Sequence, residues 1–223
     1  AEGLAATVAD VEASGRRVVS GELDVRDSEA VDAFLASVEA EFGHVDILVN
    51  NAGGTFYSSF LDVSDRGEAA LIAENFTQVT HFVRRAVPLM GERGGSIVNV
   101  TSIEAHRAGP GFAVYSAMKA AVENLTKSLA LELAERRIRV NCIAPDMIPT
   151  PGDEGLSIDA AAAHEDWSKT VLPDMGHPDD CAAAVVYLAS DFSRFITGST
   201  LHPDSGNLAS GGWKRLPDGH YIL

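Results

Sequence analysis

Positive charge is scarce in this chain: 17 lysines and arginines stand against 32 aspartates and glutamates, a formal net charge of −15 over 223 residues. That balance excludes phosphate-backbone binding, which needs clustered cations, so no nucleic-acid partner is expected. The acidic surface reads instead as a solubility feature. Cysteine is nearly missing. Cys142 and Cys181 cannot form a disulfide framework for a chain this long, and Cys142 sits in an apolar run where it reads as a small buried hydrophobe. No uninterrupted apolar stretch approaches the roughly 20 residues that span a bilayer, so no membrane segment is expected. The seven histidines are scattered, with no pair at ligand spacing beside a third donor, and no metal site is expected. No secretory leader or lipidation motif is legible. The expected compartment is the cytoplasm, and there the formal glycosylation acceptors at Asn75, Asn99 and Asn124 are coincidences.

What remains is a chain with 46% hydrophobic residues and a mean hydropathy of +0.04, enough apolar surface for one packed α/β core. Short apolar runs alternate with amphipathic stretches, the pattern of a parallel sheet covered by helices. Strands are expected at 17–23, 47–50, 96–100, 138–143 and 199–202. Helices are expected at 4–13, 28–42, 65–90, 112–134, 157–170 and 179–190. Ser28 and Asp65 are the expected N-caps; Gly15, Gly43 and Gly91 sit where helix C-terminal glycines belong. With no repeat and no linker, residues 1–223 are expected to form a single domain. One more absence matters. A doubly wound sheet carries a Gly-rich turn after its first strand, where a pyrophosphate rests on a helix N-terminus, and this chain has no such turn.

The most informative segment runs from Ser102 to Lys119. Tyr115 and Lys119 are four residues apart, which on a helix puts a phenol and an ammonium on one face. The cation favours the phenolate and lowers a pKa that is ordinarily about 10, so that the tyrosine can exchange a proton with an alcohol or carbonyl near neutral pH. Ser102 closes the apolar run 96–102, thirteen residues before Tyr115. Asp24-Val25 and Asn50-Asn51-Ala52-Gly53 each close another apolar run. Asn75 lies in a helical stretch, and Arg139 to Pro145 is followed by Ile148 and Thr150.

This order and spacing resemble the short-chain dehydrogenase/reductase family from about Leu4 to Gly206, including Gly176-His-Pro-Asp-Asp180 and Phe195-Ile-Thr-Gly198 near the end. The resemblance implies a Rossmann-type α/β fold with a doubly wound parallel sheet, and an NAD(P)-dependent oxidoreductase that interconverts a secondary alcohol and a ketone. Tyr115 would be the general acid/base. Lys119 would lower its pKa and hold the nicotinamide ribose, Ser102 would hold the substrate oxygen, and Asn75 would hold a water near Lys119. For the cofactor, NAD or NADP, Asp24 would meet the adenine amino group and Val25 a backbone contact. Asn51, Ala52 and Gly53 would line the adenosine ribose, and Pro145, Ile148 and Thr150 would grip the carboxamide. Asp146 departs from the family's usual glycine after that proline, Met118 from a common serine, and Asp204-Ser205-Gly206 from Asp-Gly-Gly.

The chain opens in what resembles the family's third helix, so the N-terminal βαβ unit is absent from the sequence. The expectation is a partial record of a longer polypeptide; the alternative is a non-catalytic or cofactor-impaired remnant serving as a binding or structural subunit. Residues of about 149–175, with Trp167, read as a lid over a small-molecule alcohol or ketone, and Glu104 and Phe112 as further candidates for its walls. Glu104 reads more simply as a solvated or salt-bridged carboxylate. The tail 207–223 is apolar enough to suggest a subunit interface. By resemblance the assembly is a homotetramer, with a dimer next, built through helices 65–90 and 112–134.

Overall fold

The computed structural model describes residues 2–146, 148–150, 171–172, 175–216 and 219–222. In chain order the elements are α1 (Glu2–Ala13), α2 (Ser28–Phe42), β1 (Ile47–Asn50), α3 (Asp65–Ile72), α4 (Gln78–Met90), β2 (Gly95–Val100) and α5 (Ala113–Glu132). There follow β3 (Ile138–Ile143), α6 (Pro178–Ala189), β4 (Thr200–Leu201), α7 (Asn207–Ser210), β5 (Lys214–Arg215) and β6 (Tyr221–Ile222). Strands β1 to β4 form one parallel sheet in sequence order, with Val49 opposite Val98, Ile97 opposite Val140, and Ile143 opposite Leu201. Parallel neighbours require crossover helices, and those helices cover both faces.

Side-chain caps set the helix boundaries. The Asp27 carboxylate accepts from the amides of Glu29 and Ala30 at 3.0 and 3.2 Å, a cap that contributes on the order of 1 kcal/mol. Helix α2 ends at Gly43, whose φ of +74° favours a residue without a Cβ. Ser64 caps α3 through the amide of Gly67. Both caps therefore stand one residue before the expected Ser28 and Asp65, because each pair offers two capping-competent side chains in succession. The expected single helix 65–90 is interrupted: Ala73–Thr77 form a π turn between α3 and α4.

One sheet face packs on α4 and α5 through Val79, Val83, Met90, Ile97, Val122, Ile138 and Val140. The other face packs on α6 through Val98, Ile143 and Leu188. Segment 17–23, expected as a strand, pairs with no other strand among the described residues. Among the described residues β1 pairs with β2 alone, and Ile47 and Val49 are 49% and 40% exposed. Arg17 there lies over the Phe42 ring and bonds Glu41. The expected helix 157–170 lies outside the described residues. In the tail, β5 and β6 pair as a small antiparallel hairpin beside the exposed Trp213.

A buried polar chain crosses the sheet. The Asn50 side-chain amide donates to Asn99 Oδ1, the Asn99 amide donates to Thr126 Oγ1, each at 2.8 Å, and the Cys142 thiol donates to Thr126 at 3.1 Å. Buried polar groups left without partners cost about 1–3 kcal/mol apiece. Asn99→Ala should therefore lower the free energy of unfolding by about 1–3 kcal/mol, read from urea denaturation; a smaller loss would mean that Asn50 and Thr126 find other partners.

Candidate active site

Asn51–Gly53 follow β1, Ser102 follows β2 and Pro145 follows β3, at the carboxyl ends where open α/β sheets place their ligand crevice. β1 runs out through Asn51, Ala52 and Gly53, all exposed. This loop is held from the side by the helix that crosses it. Asn75, inside the π turn and 1% exposed, donates through Nδ2 to the carbonyls of Gly54 at 2.8 Å and Leu71 at 3.0 Å. Its Oδ1 is buried and has no partner.

Lys119 enters from α5. Its ammonium donates to the Val100 carbonyl at 3.0 Å and lies 5.4 Å from the centre of the Tyr115 ring, with the residue only 5% exposed. Burial pulls its pKa down from 10.5 to about 8; the smaller charge effects of Cys142 and Glu74 push the other way. Asn75 and Lys119 converge on Gly53. A Cβ there would come within 3.0 Å of Asn75 Oδ1 and 3.1 Å of Lys119 Nζ. Glycine at this position keeps open the space shared by the amide oxygen and the ammonium.

Ser102 is half-buried and begins a 3-10 turn, its hydroxyl accepting from the Glu104 amide at 3.2 Å. The turn is tied to the end of β3: the Thr101 amide and hydroxyl both donate to the Ile143 carbonyl, and the Ile103 amide donates to the Pro145 carbonyl at 3.0 Å. These bonds seat the serine loop against Pro145, the start of the segment expected to meet the carboxamide. Ile148 is half-buried and Thr150 exposed.

Glu104 is salt-bridged. Its Oε1 accepts from both Nε and Nη2 of Arg107, whose guanidinium also reaches Asp146 at 3.3 Å. Asp146 takes a further bond from Asn207, so the carboxylate standing in place of glycine joins the serine loop to α7. Phe112 packs edge-on against Tyr57 at 5.5 Å and helps to line a small hollow with Phe56, Phe60 and Leu71. Asp24 lies in a turn with Val25, and its carboxylate is gripped by Arg26 through Nε and Nη2. Hydrogen bonding from Arg26 holds the Asp24 pKa at about 2.

Two residues beside the loop escaped the sequence reading. Gln78 is 1% exposed and donates through Nε2 to the Ala52 carbonyl at 2.9 Å. Glu74 lies so close to Gly54 that a Cβ there would meet its Oε1 at 2.7 Å. Gln78 carried no periodic signal, standing about 100° or more around α4 from Val79, Val83 and Val87. Glu74 carried none.

Because burial penalises the charged form, Lys119 should titrate near pH 8 in the dinucleotide-free protein, read by NMR of its side-chain nitrogen. The unfolded chain holds that proton up to about 10.5, so this group makes the fold gain stability as pH rises from about 8 to 10.5. Lys119→Met should remove that slope; a midpoint at the ordinary value would show that water reaches the ammonium.

A family model described as enoyl-(acyl carrier protein) reductase matches residues 1–207. A 3beta-hydroxysteroid dehydrogenase from Eggerthella lenta is 39% identical over 207 residues, 92% of this chain and 79% of that protein. A 3-oxoacyl-(acyl-carrier-protein) reductase from Chlamydia muridarum is 35% identical over 195 residues, 86% of this chain and 77% of that protein. Among solved structures, carveol dehydrogenase from Mycobacterium avium in complex with NAD superposes with a TM-score of 0.84 at 34% identity, covering 93% of this chain and 81% of that one. The chain belongs to the short-chain dehydrogenase/reductase family and is an oxidoreductase that uses NAD or NADP.

Proposed function

We propose that the chain interconverts a secondary alcohol and a ketone, with Tyr115 as the general acid/base and Ser102, Lys119 and Asn75 as its partners. One observation carries this reading: a buried ammonium and an unpartnered buried amide oxygen flank the same point over Gly53, beside the Tyr115 ring. The bound dinucleotide supplies or accepts the hydride. Exposed Asn51, Ala52 and Gly53 fit a dinucleotide ribose, since their backbone is open and the space over Gly53 is free of a side chain.

In the direction of reduction the Tyr115 hydroxyl gives its proton to the carbonyl oxygen as negative charge develops there. Ser102 donates a second hydrogen bond to that oxygen, which orients it and stabilises the charge. Lys119 favours the phenolate that Tyr115 becomes, provided the ammonium keeps its proton. A water held between Asn75 Oδ1 and Lys119 Nζ gives the orphaned oxygen a donor and relays a proton from solvent back to the Tyr115 phenolate. Asp24 and Val25 bind the adenine end, and Pro145, Ile148 and Thr150 the carboxamide. The substrate is a small ketone or alcohol, 3-oxoacyl-like or a broader carbonyl compound. A cytoplasmic homotetramer built on α3, α4 and α5 completes the proposal.

Tyr115→Phe should lower turnover by about a hundredfold to ten-thousandfold while dinucleotide affinity changes far less; near-normal turnover would remove Tyr115 from the chemistry. Asp24→Ala frees Arg26 and takes away the carboxylate, so the dissociation constant for the dinucleotide should rise in a fluorescence titration. An unchanged constant would take Asp24 out of the adenine site.

A further inference from the structure

We propose that Gln78 is a positioning residue for the dinucleotide, acting through the peptide that joins Ala52 to Gly53. The inference rests on the reading of residues 51–53 as cofactor-binding. Gln78 is buried and stands three residues after Asn75, with the π turn ending between them. Together the two amides grip the loop on either side of Gly53. Gln78 takes the Ala52 carbonyl at 2.9 Å, and Asn75 takes the Gly54 carbonyl at 2.8 Å. The peptide unit is planar and trans, so its carbonyl and its N–H point in opposite directions. Drawing the Ala52 carbonyl toward α4 turns the Gly53 N–H away from the helix, toward the exposed side of the loop. There it stands as a fixed donor to a ribose or phosphate oxygen. Without Gln78 the peptide can rotate, and the donor must be ordered again at each binding event, which lowers affinity.

The test uses the full chain and titrates NADH and NADPH by fluorescence with no substrate present. Gln78→Met keeps length and removes the donor; its dissociation constant should rise about three- to tenfold, the equivalent of one hydrogen bond. In steady state its cofactor KM should rise by a larger factor than kcat falls. Gln78→Glu donates only when protonated, and a carboxyl this buried titrates above its usual range, so its affinity should recover as pH falls from about 8 to about 6. The wild-type profile, which carries the Lys119 titration near pH 8, is the baseline, and the Gln78→Glu recovery should exceed it. A residue that only fills space would change the melting temperature without this acid recovery.

In the unmodified protein, the Gln78 side-chain amide protons should exchange slowly and shift when NADH is added. Met and Glu variants that bind as the wild type does, or an amide signal indifferent to NADH, would overturn the proposal. A wild-type chain that binds neither dinucleotide would overturn the cofactor reading of the loop instead.

Discussion

An ammonium removed from water loses several kcal/mol of hydration, and much of the site is arranged around that loss at Lys119. The Val100 carbonyl accepts one of its hydrogen bonds, and the neighbouring charges are negative or neutral. The compensation is incomplete, which is why its pKa falls. The ammonium therefore keeps its full charge beside the Tyr115 ring only below about pH 8.

The space beside that ammonium exists because several elements agree on it. The π turn swings Asn75 so that its amide reaches the Gly54 carbonyl, and Gln78 then falls against the Ala52 carbonyl. Glycine at position 53 keeps the volume free. On the far side, Thr101 and Ile103 bond to the end of β3, which brings Ser102 alongside Pro145. Helix, strand end and glycine each contribute a small constraint. Their joint effect is a loop whose exposed backbone is held from beneath.

Much of this could be read in the residues themselves. The apolar period over Ser28–Phe42 gave that helix its observed bounds, and the spacing of Asn75, Ser102, Tyr115 and Lys119 brought them to one end of the sheet. Segment 17–23 shows where such reading stops. A short apolar run marks a segment able to join a sheet but says nothing of whether a neighbour exists to complete the ladder. The π turn was equally illegible, because it depends on what Asn75 touches 21 residues away, at Gly54. Gln78 was hidden for a related reason: a buried amide makes sense only once the carbonyl it serves is in place.

The polar chain through Asn50, Asn99, Thr126 and Cys142 bears on how the sheet finds its alignment. Valine and isoleucine runs are nearly interchangeable, so parallel strands made of them could pair one step out of place at little cost to oil-like contact. Shifting β2 by one residue would turn Asn99 toward α6 and strand the amide of Asn50 and the hydroxyl of Thr126 in a dry interior. This small polar chain thereby acts as a proofreading device, making misaligned sheets unstable before any ligand arrives.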